Sequence, residues 1–333
     1  MKIVIPGGSG QIGTMLARSF SASGDDVCVI GRSTPRVPVP WRIATWDGRS
    51  VGEWTREIDG ADVVINLAGR TVNCRYHAAN RKQIIDSRVD STRIVGEAIA
   101  AAATPPRVWL QSSTATIYAH RYDAPNDEAT GIIGGPGEPG VPETWRFSVS
   151  VAKAWEQALA DAPDLAGCRK VAMRTSIVMN PDRGSAFCVL LGLVRRGLGG
   201  RNGNGRQFVS WIHDADFVRA VRWLIAHDEL AGAVNIASPN PLPNADFMRE
   251  LRRAAGVWFG LPAARWMLEI GAFFLRTETE LILKSRRVVP GRLVESGFTF
   301  EHPLWPAAVD ELVARWRAMR SAWPRETNRA PDA

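Results

Sequence analysis

Tyrosine is the residue this sequence has least of where chemistry is concerned. Only three occur, against thirteen tryptophans. Four residues after Tyr76, Tyr118 and Tyr122 stand Asn80, Tyr122 and Asn126. No tyrosine therefore sits one helical turn before a lysine, which excludes a Tyr-x-x-x-Lys acid–base pair. Cysteine is nearly as sparse: Cys28, Cys74, Cys168 and Cys188 are scattered, with no Cys-x-x-Cys pair. Neither a disulfide frame nor a zinc site is expected; the expected compartment is the cytoplasm, and no metal is expected. No apolar run reaches the ~18 residues that a membrane span needs. The best candidate, "WMLEIGAFFL", is broken by Glu269 and closed by Arg276, and reads as an amphipathic helix at a core or interface. There are no internal repeats. The N-terminus runs straight into a strand and a glycine turn, not a signal peptide.

The net charge is +7, and part of the excess is regional. Between Arg249 and Arg292, nine Arg or Lys stand against four Glu. A basic balance suits anionic partners or a solvated surface. The region carries no aromatic and basic pattern of a named RNA module, so no nucleic-acid partner is expected.

Short apolar runs alternate with helical stretches over the first 180 residues. "KIVIP", "DVCVIG", "RIATW", "DVVINLA", "RVWLQSS" and "RKVAMRTSIVM" are rich in Val and Ile and almost continuously apolar. Strands buried on both faces of a parallel sheet have that character. Helices are expected at about Gln11 to Ser23, Ala78 to Ala103 and Phe147 to Asp161. The expected fold class is α/β, a doubly wound parallel sheet over residues 1–180. A smaller, mainly helical substrate domain is expected over 181–323, with a frayed tail at 324–333. "AVNIAS", near 230–240, is expected to return a strand to the sheet, and "GFTFEHP" to be extended.

"KIVIPGGSGQIG" places Gly7, Gly10 and Gly13 between a strand and a helix. Glycines there allow a tight turn, close approach of backbone to a pyrophosphate, and close helix–strand packing. Gln11 and Ile12 lie at the helix N-terminus, whose free N–H groups suit phosphate. At the end of the second strand an NAD site usually carries an acid. This chain has Gly31, then Arg32, with Arg36 nearby. An arginine suits the extra phosphate of NADP, so NADP(H) is expected in preference to NAD(H). Asp47, after the third strand, is expected to meet the adenine.

With those residues, the sequence resembles the extended and atypical short-chain dehydrogenase/reductases. More narrowly, it resembles the NAD-dependent epimerase/dehydratase family, in the form called predicted nucleoside-diphosphate-sugar epimerase with an added C-terminal domain. The likeness spans nearly the whole chain, through "GGSGQIG", "DVVINLAGRTVN", "DSRVDST", "VAKAWE", "FVSWIHDADF", "NIASPNPLPNADF" and "SRRVVPGRLVESGFTF". It implies cofactor contacts at Leu67, Ala68, Gln83 and Arg88. It also implies a catalytic hydroxyl at Thr114 and, at Lys153, the lysine of the superfamily's dyad. The dyad's tyrosine position then falls on Val149. Lys153 is expected to serve as a cofactor ligand, and any proton donor to come from the loop of Tyr118 and His120 or from the substrate.

Other residues carry open alternatives. Asp127 and Glu128 are further acid candidates; Asp214 reads as a helix cap rather than an acid. Gln207, Ser210, Trp211 and His213 are candidate ligand contacts, and Arg174 meets either a substrate anion or a buried partner. The expected function is an NADP(H)-binding oxidoreductase or epimerase acting on a small polar, nucleotide-linked or simpler, substrate. The alternative is a non-catalytic NADP(H)-binding sensor or scaffold.

Overall fold

The computed structural model describes residues 1–138, 140–264, 266–269 and 278–321. The expected tail at 324–333 and most of "WMLEIGAFFL" lie outside the described residues. β1 (Lys2–Pro6), β2 (Asp26–Gly31), β3 (Arg42–Thr45), β4 (Val63–Asn66), β5 (Val108–Thr114), β6 (Arg169–Thr175) and β10 (Gly232–Ile236) form one sheet. Its order is β10-β6-β5-β4-β1-β2-β3, and every neighbouring pair is parallel.

Alternation along the strands explains the two layers of helices. Ile3, Ile5, Val63, Ile65, Val108 and Leu110 face one side, against Leu16 and Phe20 of α1 (Gln11–Ala22) and Phe217 and Leu224 of α5 (Asp214–Ala226). Val4, Val64 and Trp109 face the other, against Ile94, Val95 and Ile99 of α2 (Ala78–Ala101) and Leu159 of α3 (Glu143–Ala160). Both faces are covered, so the strands read as unbroken apolar runs. Each large side chain so buried contributes about 1.5–3 kcal/mol.

One extended stretch differs from the sequence reading. "RKVAMRTSIVM" is two strands: after β6, Ile177–Met179 (β7) leaves the main sheet and pairs with Trp211–His213 (β9), which follows the two-residue strand Phe208–Val209 (β8). "GFTFEHP" forms no strand. Instead the N–H groups of Glu301 and His302 donate to the buried Asp216 carboxylate, each at 2.8 Å.

A second core holds the rest of the chain. Phe187 and Leu191 of α4 (Ala186–Arg195), Phe247 and Leu251 of α6 (Asn244–Ala255), and Val309 and Leu312 of the helix Trp305–Ser321 surround Trp211. Trp305 stacks on Phe247 at 4.1 Å and meets Trp211 edge-on at 4.9 Å. Between the cores runs the segment 284–289, stitched on both sides. The Arg286 N–H donates to Phe208 O at 2.9 Å, the Ser210 hydroxyl donates to Arg286 O at 2.6 Å, and the Asn126 N–H donates to Arg287 O at 2.7 Å. No helix of the described residues is long and apolar enough to cross a membrane.

His213 joins these cores. Its Nδ1 accepts the Ala215 N–H at the start of α5, at 3.2 Å, and its Nε2 lies 2.8 Å from the Glu311 carboxylate. An accepting Nδ1 places the proton on Nε2, which donates to Glu311. Burial holds the imidazole below its ordinary 6.5. The stability it lends is therefore full above that value and lost as pH falls through the lower folded one. His213→Ala should cost about 1–2 kcal/mol in denaturant unfolding at pH 7.5, as lost caps and buried hydrogen bonds do. The difference from wild type should shrink toward pH 5; a pH-independent difference contradicts the assignment.

Candidate functional site

The carboxyl ends of β1, β2 and β4 surround a cavity of about 680 Å³. Gly7 has φ +74°, and a Cβ there would lie 2.5 Å from the Ala68 backbone. A Cβ on Gly13 would lie 2.3 Å from Gly8 Cα, where α1 packs on the turn. Gly10 is different. Its Cβ would find nothing nearer than Gly7 O at 3.9 Å, because that side faces the cavity. The opposite wall is the Leu67–Gly69 turn, held by a buried amide: Asn66 Nδ2 donates to Gln111 Oε1 at 2.9 Å, and Asn66 Oδ1 accepts the Ala68 N–H at 3.1 Å.

Of the residues singled out from sequence, Gly7, Gly10, Gly31, Arg32, Asp47, Leu67 and Ala68 line this cavity. Gln11, Ile12 and Gln83 do not. Gln11 turns away to donate to Arg183 O at 3.0 Å, and Ile12 packs into the main core. These two, with Gly13, offer the cavity only the free N–H groups of the first helical turn. Gln83 is exposed on α2 and pairs with the Arg70 guanidinium. Arg36 is exposed and away from the lining. Ser9, Trp46, Arg49 and Arg70 line the cavity without having been anticipated. Loop residues are brought there by tertiary packing and leave no local pattern. Arg32, Arg49 and Arg70 line it together with Asp47, the one carboxylate in the lining among the described residues. Asp47 Oδ1 accepts the N–H groups of Arg49 and Ser50, each at 2.8 Å, which holds that carboxyl below the usual range. The wall is cationic and suits phosphate.

Past Gly69 lies a second, smaller cavity of about 120 Å³. Its polar lining is Tyr76, Arg88, Thr114, Thr116, Ser148 and, from far along the chain, Glu280 and Arg286. Arg88 stands at the border: its Cζ would lie 3.2 Å from a Cβ on Gly69, its Nη1 donates to Ile84 O at 3.0 Å, and its guanidinium lies 4.9 Å over the Trp155 ring. Desolvation pulls it down to about 10. Thr114 Oγ1 accepts the Thr116 N–H at 3.1 Å, which leaves its own hydrogen to donate. The Ser148 hydroxyl donates to the buried Glu280 carboxylate and lies 3.5 Å from the Tyr76 hydroxyl. Burial raises the Glu280 carboxyl and pushes the Tyr76 phenol up to about 12. Lys284 and Arg286 flank Glu280 at 3.9 and 3.7 Å, and burial pulls Lys284 down to about 8.

The α3 residues that line this cavity are Phe147, Ser148, Val151 and Trp155. At about 100° per residue, Lys153 sits roughly 200° round from both Val151 and Trp155. It is exposed, with Nζ beside Gly135, and lines neither cavity. Val149, buried against the Gly134 loop, is equally out of phase. The expected dyad stripe of Val149 and Lys153 thus points away from the cavity. Tyr118 does not line the small cavity either. It is buried, and its hydroxyl is shared between Asn235 Oδ1 at 2.9 Å and Arg174 Nη1 at 3.0 Å, a structural position.

Other candidates also serve the scaffold. His120 Nδ1 accepts the Ser285 N–H at 2.8 Å, and Arg174 forms a pair with Glu156 at 2.7 Å. Asp127 closes its own turn, and Glu128 accepts the Asn235 N–H at 2.7 Å. Asp214 accepts from Arg315 at 2.7 Å, while His213 caps α5. Gln207, Ser210 and Trp211 are buried and hold backbone or core. Among the described residues no group of three or more His, Cys, Asp or Glu is placed to hold a metal.

A parallel sheet wound on both faces, with a glycine turn and paired cavities at its carboxyl edge, defines a Rossmann-type protein of the short-chain dehydrogenase/reductase kind. The chain belongs to the NAD dependent epimerase/dehydratase family, which it matches over residues 3–237. Residues 263–312 match a domain of unknown function, DUF1731. The human epimerase family protein SDR39U1 is 29% identical over 319 residues, 94% of this chain and 100% of that protein. Epimerase family protein ML0860 of Mycobacterium leprae is 31% identical over 304 residues, 90% of this chain and 92% of that one. The crystal structure of human SDR39U1 with NADPH superposes with TM-score 0.81 at 26% identity, covering 94% of this chain and 99% of that one. A nucleoside-diphosphate sugar epimerase from Corynebacterium glutamicum shares the fold, with TM-score 0.72 at 24% identity over 97% of this chain and 62% of that one.

The two turn glycines should respond differently to a methyl group. Gly7→Ala should lose about 2 kcal/mol or more in denaturant unfolding, from the left-handed backbone and the overlap with Ala68. Gly10→Ala should stay within about 1 kcal/mol of wild type. Equal losses would contradict the open cradle at Gly10.

Proposed function

We propose that this chain is an NADP(H)-dependent oxidoreductase of the epimerase family, acting in the cytoplasm on a small polar substrate. The observation that carries the reading is the paired cavity. A cationic groove at the point where the strand order reverses lies beside a small, partly open cavity lined by hydroxyls, with Gly69 and Arg88 at the border between them. The residues fit the cofactor. Gly10 leaves room for a pyrophosphate beside the free N–H groups of α1, and Arg32 offers charge-assisted hydrogen bonds to a 2′-phosphate. Gly31 and Asp47 would border the adenosine half, and Leu67 and Ala68 the path toward the chamber. The NADPH in the human relative's structure supports the same reading.

When bound, NADP(H) supplies a hydride donor or acceptor at its nicotinamide. The chain's own groups then have separate tasks. Thr114 donates its hydroxyl hydrogen to the substrate oxygen. Ser148 connects the chamber to Glu280, a carboxyl whose raised pKa suits it to hold a proton. Arg88 and Trp155 close one wall and help keep water out. The second reading, a sensor that binds the cofactor without turnover, is favoured by one observation: Lys153 and Tyr118 both lie off the chamber.

Titrating NADPH and NADH by fluorescence tests the cofactor. Arg32→Ala should weaken NADPH by about tenfold, the worth of one charged hydrogen bond, and leave NADH unchanged. Equal wild-type affinities for the two would sink the preference. Thr114→Val should lower turnover of carbonyl substrates by about 100-fold with NADPH affinity unchanged. Lys153→Ala should alter neither. No turnover by wild type across aldehydes, ketones and oxo acids would favour the sensor.

A further inference from the structure

The second cavity has an electrostatic and steric character of its own. It is small: an apolar cavity of roughly 150 Å³ holds a benzene-sized molecule, and this one is about 120 Å³. Sites for drug-sized ligands span roughly 300–1,000 Å³, so the space itself matches a small molecule. Its body is apolar, walled by Val72, Ile84, Phe147, Val151 and Trp155.

Its charges are unevenly matched. Glu280, the one acid of the lining among the described residues, accepts the Ser148 hydroxyl and has Lys284 and Arg286 at 3.9 and 3.7 Å. Arg88 shares no carboxylate. Among the described residues its partners are the Ile84 carbonyl, at 3.0 Å, and the face of Trp155. A guanidinium has five N–H donors, so one carbonyl leaves the fork able to take a bidentate anion. A half-buried cation without a counter-charge costs stability unless something pairs with it.

We propose that this cavity binds a small 2-oxo acid, with the carboxylate on Arg88 and the oxo group toward Thr114. This rests on the NADP(H) reading for what lies on the other side of Gly69, and names the substrate class of that site. It also gives Arg88 a task different from the cofactor contact expected from sequence. Desolvation that pulls Arg88 down to about 10 would be offset by the bound carboxylate, so the site favours an anion over its neutral analogue.

The experiment uses the full chain at saturating NADPH. Pyruvate, 2-oxobutanoate and 3-methyl-2-oxobutanoate, with the methyl ester of each and UDP-glucose, are titrated by calorimetry. At least one acid should bind about tenfold or more tightly than its ester, with UDP-glucose outside the range measured. Arg88→Gln should weaken that acid by about tenfold and leave the ester unchanged, and Arg88→Lys should recover part of the loss. Thermal melting of each variant, with and without NADPH, shows that it is folded and loaded. Esters that bind as well as the acids, no acid binding below 10 mM (a concentration on the order of the weakest specific sites), or Arg88→Gln without effect on acid binding each overturn the proposal. A wild-type protein that fails to bind NADPH overturns the cofactor reading instead, and that is read in the first titration.

Discussion

Everything at the carboxyl edge of this sheet depends on one buried amide. Asn66 ends the central strand β4 with no solvent exposure and spends its side chain on Gln111 and on the Ala68 N–H. A buried amide must be satisfied, and satisfying this one fixes the Leu67–Gly69 turn. That turn then dictates the glycine at position 7, since the backbones approach too closely for a Cβ. It also sets Gly69 against Arg88. The wall of the large cavity and the border of the small one are two ends of the same three residues.

The small cavity is completed from more than a hundred residues away. Glu280 and Arg286 belong to a stretch that passes between the two cores. Its backbone is fastened to Phe208, Ser210 and Asn126. Fastening it there buries Lys284, Arg286 and Glu280 together. Such a cluster is expensive unless internally paired, and the Ser148 hydroxyl ties it to α3. The part of the chain that matches a domain of unknown function thus has a physical role: it supplies the charged roof of the chamber.

How much of this could be read from residues alone follows from how local each signal is. The positions of Gly7, Gly10 and Arg32 at the large cavity and of Thr114 at the small one are legible because strand, turn and strand end are contiguous. Lys153 has the spacing from Val149 that a dyad needs, yet it lines neither cavity, because helix phase is set by what packs on the helix. Here Phe147, Val151 and Trp155 take the inner face. A step of two residues turns a side chain to the opposite side. Tyr118 looked available beside the strand end, but Asn235 and Arg174, distant in sequence, occupy its hydroxyl. Tyr76, Ser148 and Glu280 meet only in three dimensions, so no spacing pointed to them.

The measurement that tests this account most directly is a crystal structure of the protein grown with NADPH. The account predicts the 2′-phosphate against Arg32, the pyrophosphate beside Gly10, and the nicotinamide at the border between Gly69 and Thr114. Lys153 stays in solvent. A nicotinamide ribose held by Lys153, or a cofactor lying elsewhere on the sheet edge, would contradict it.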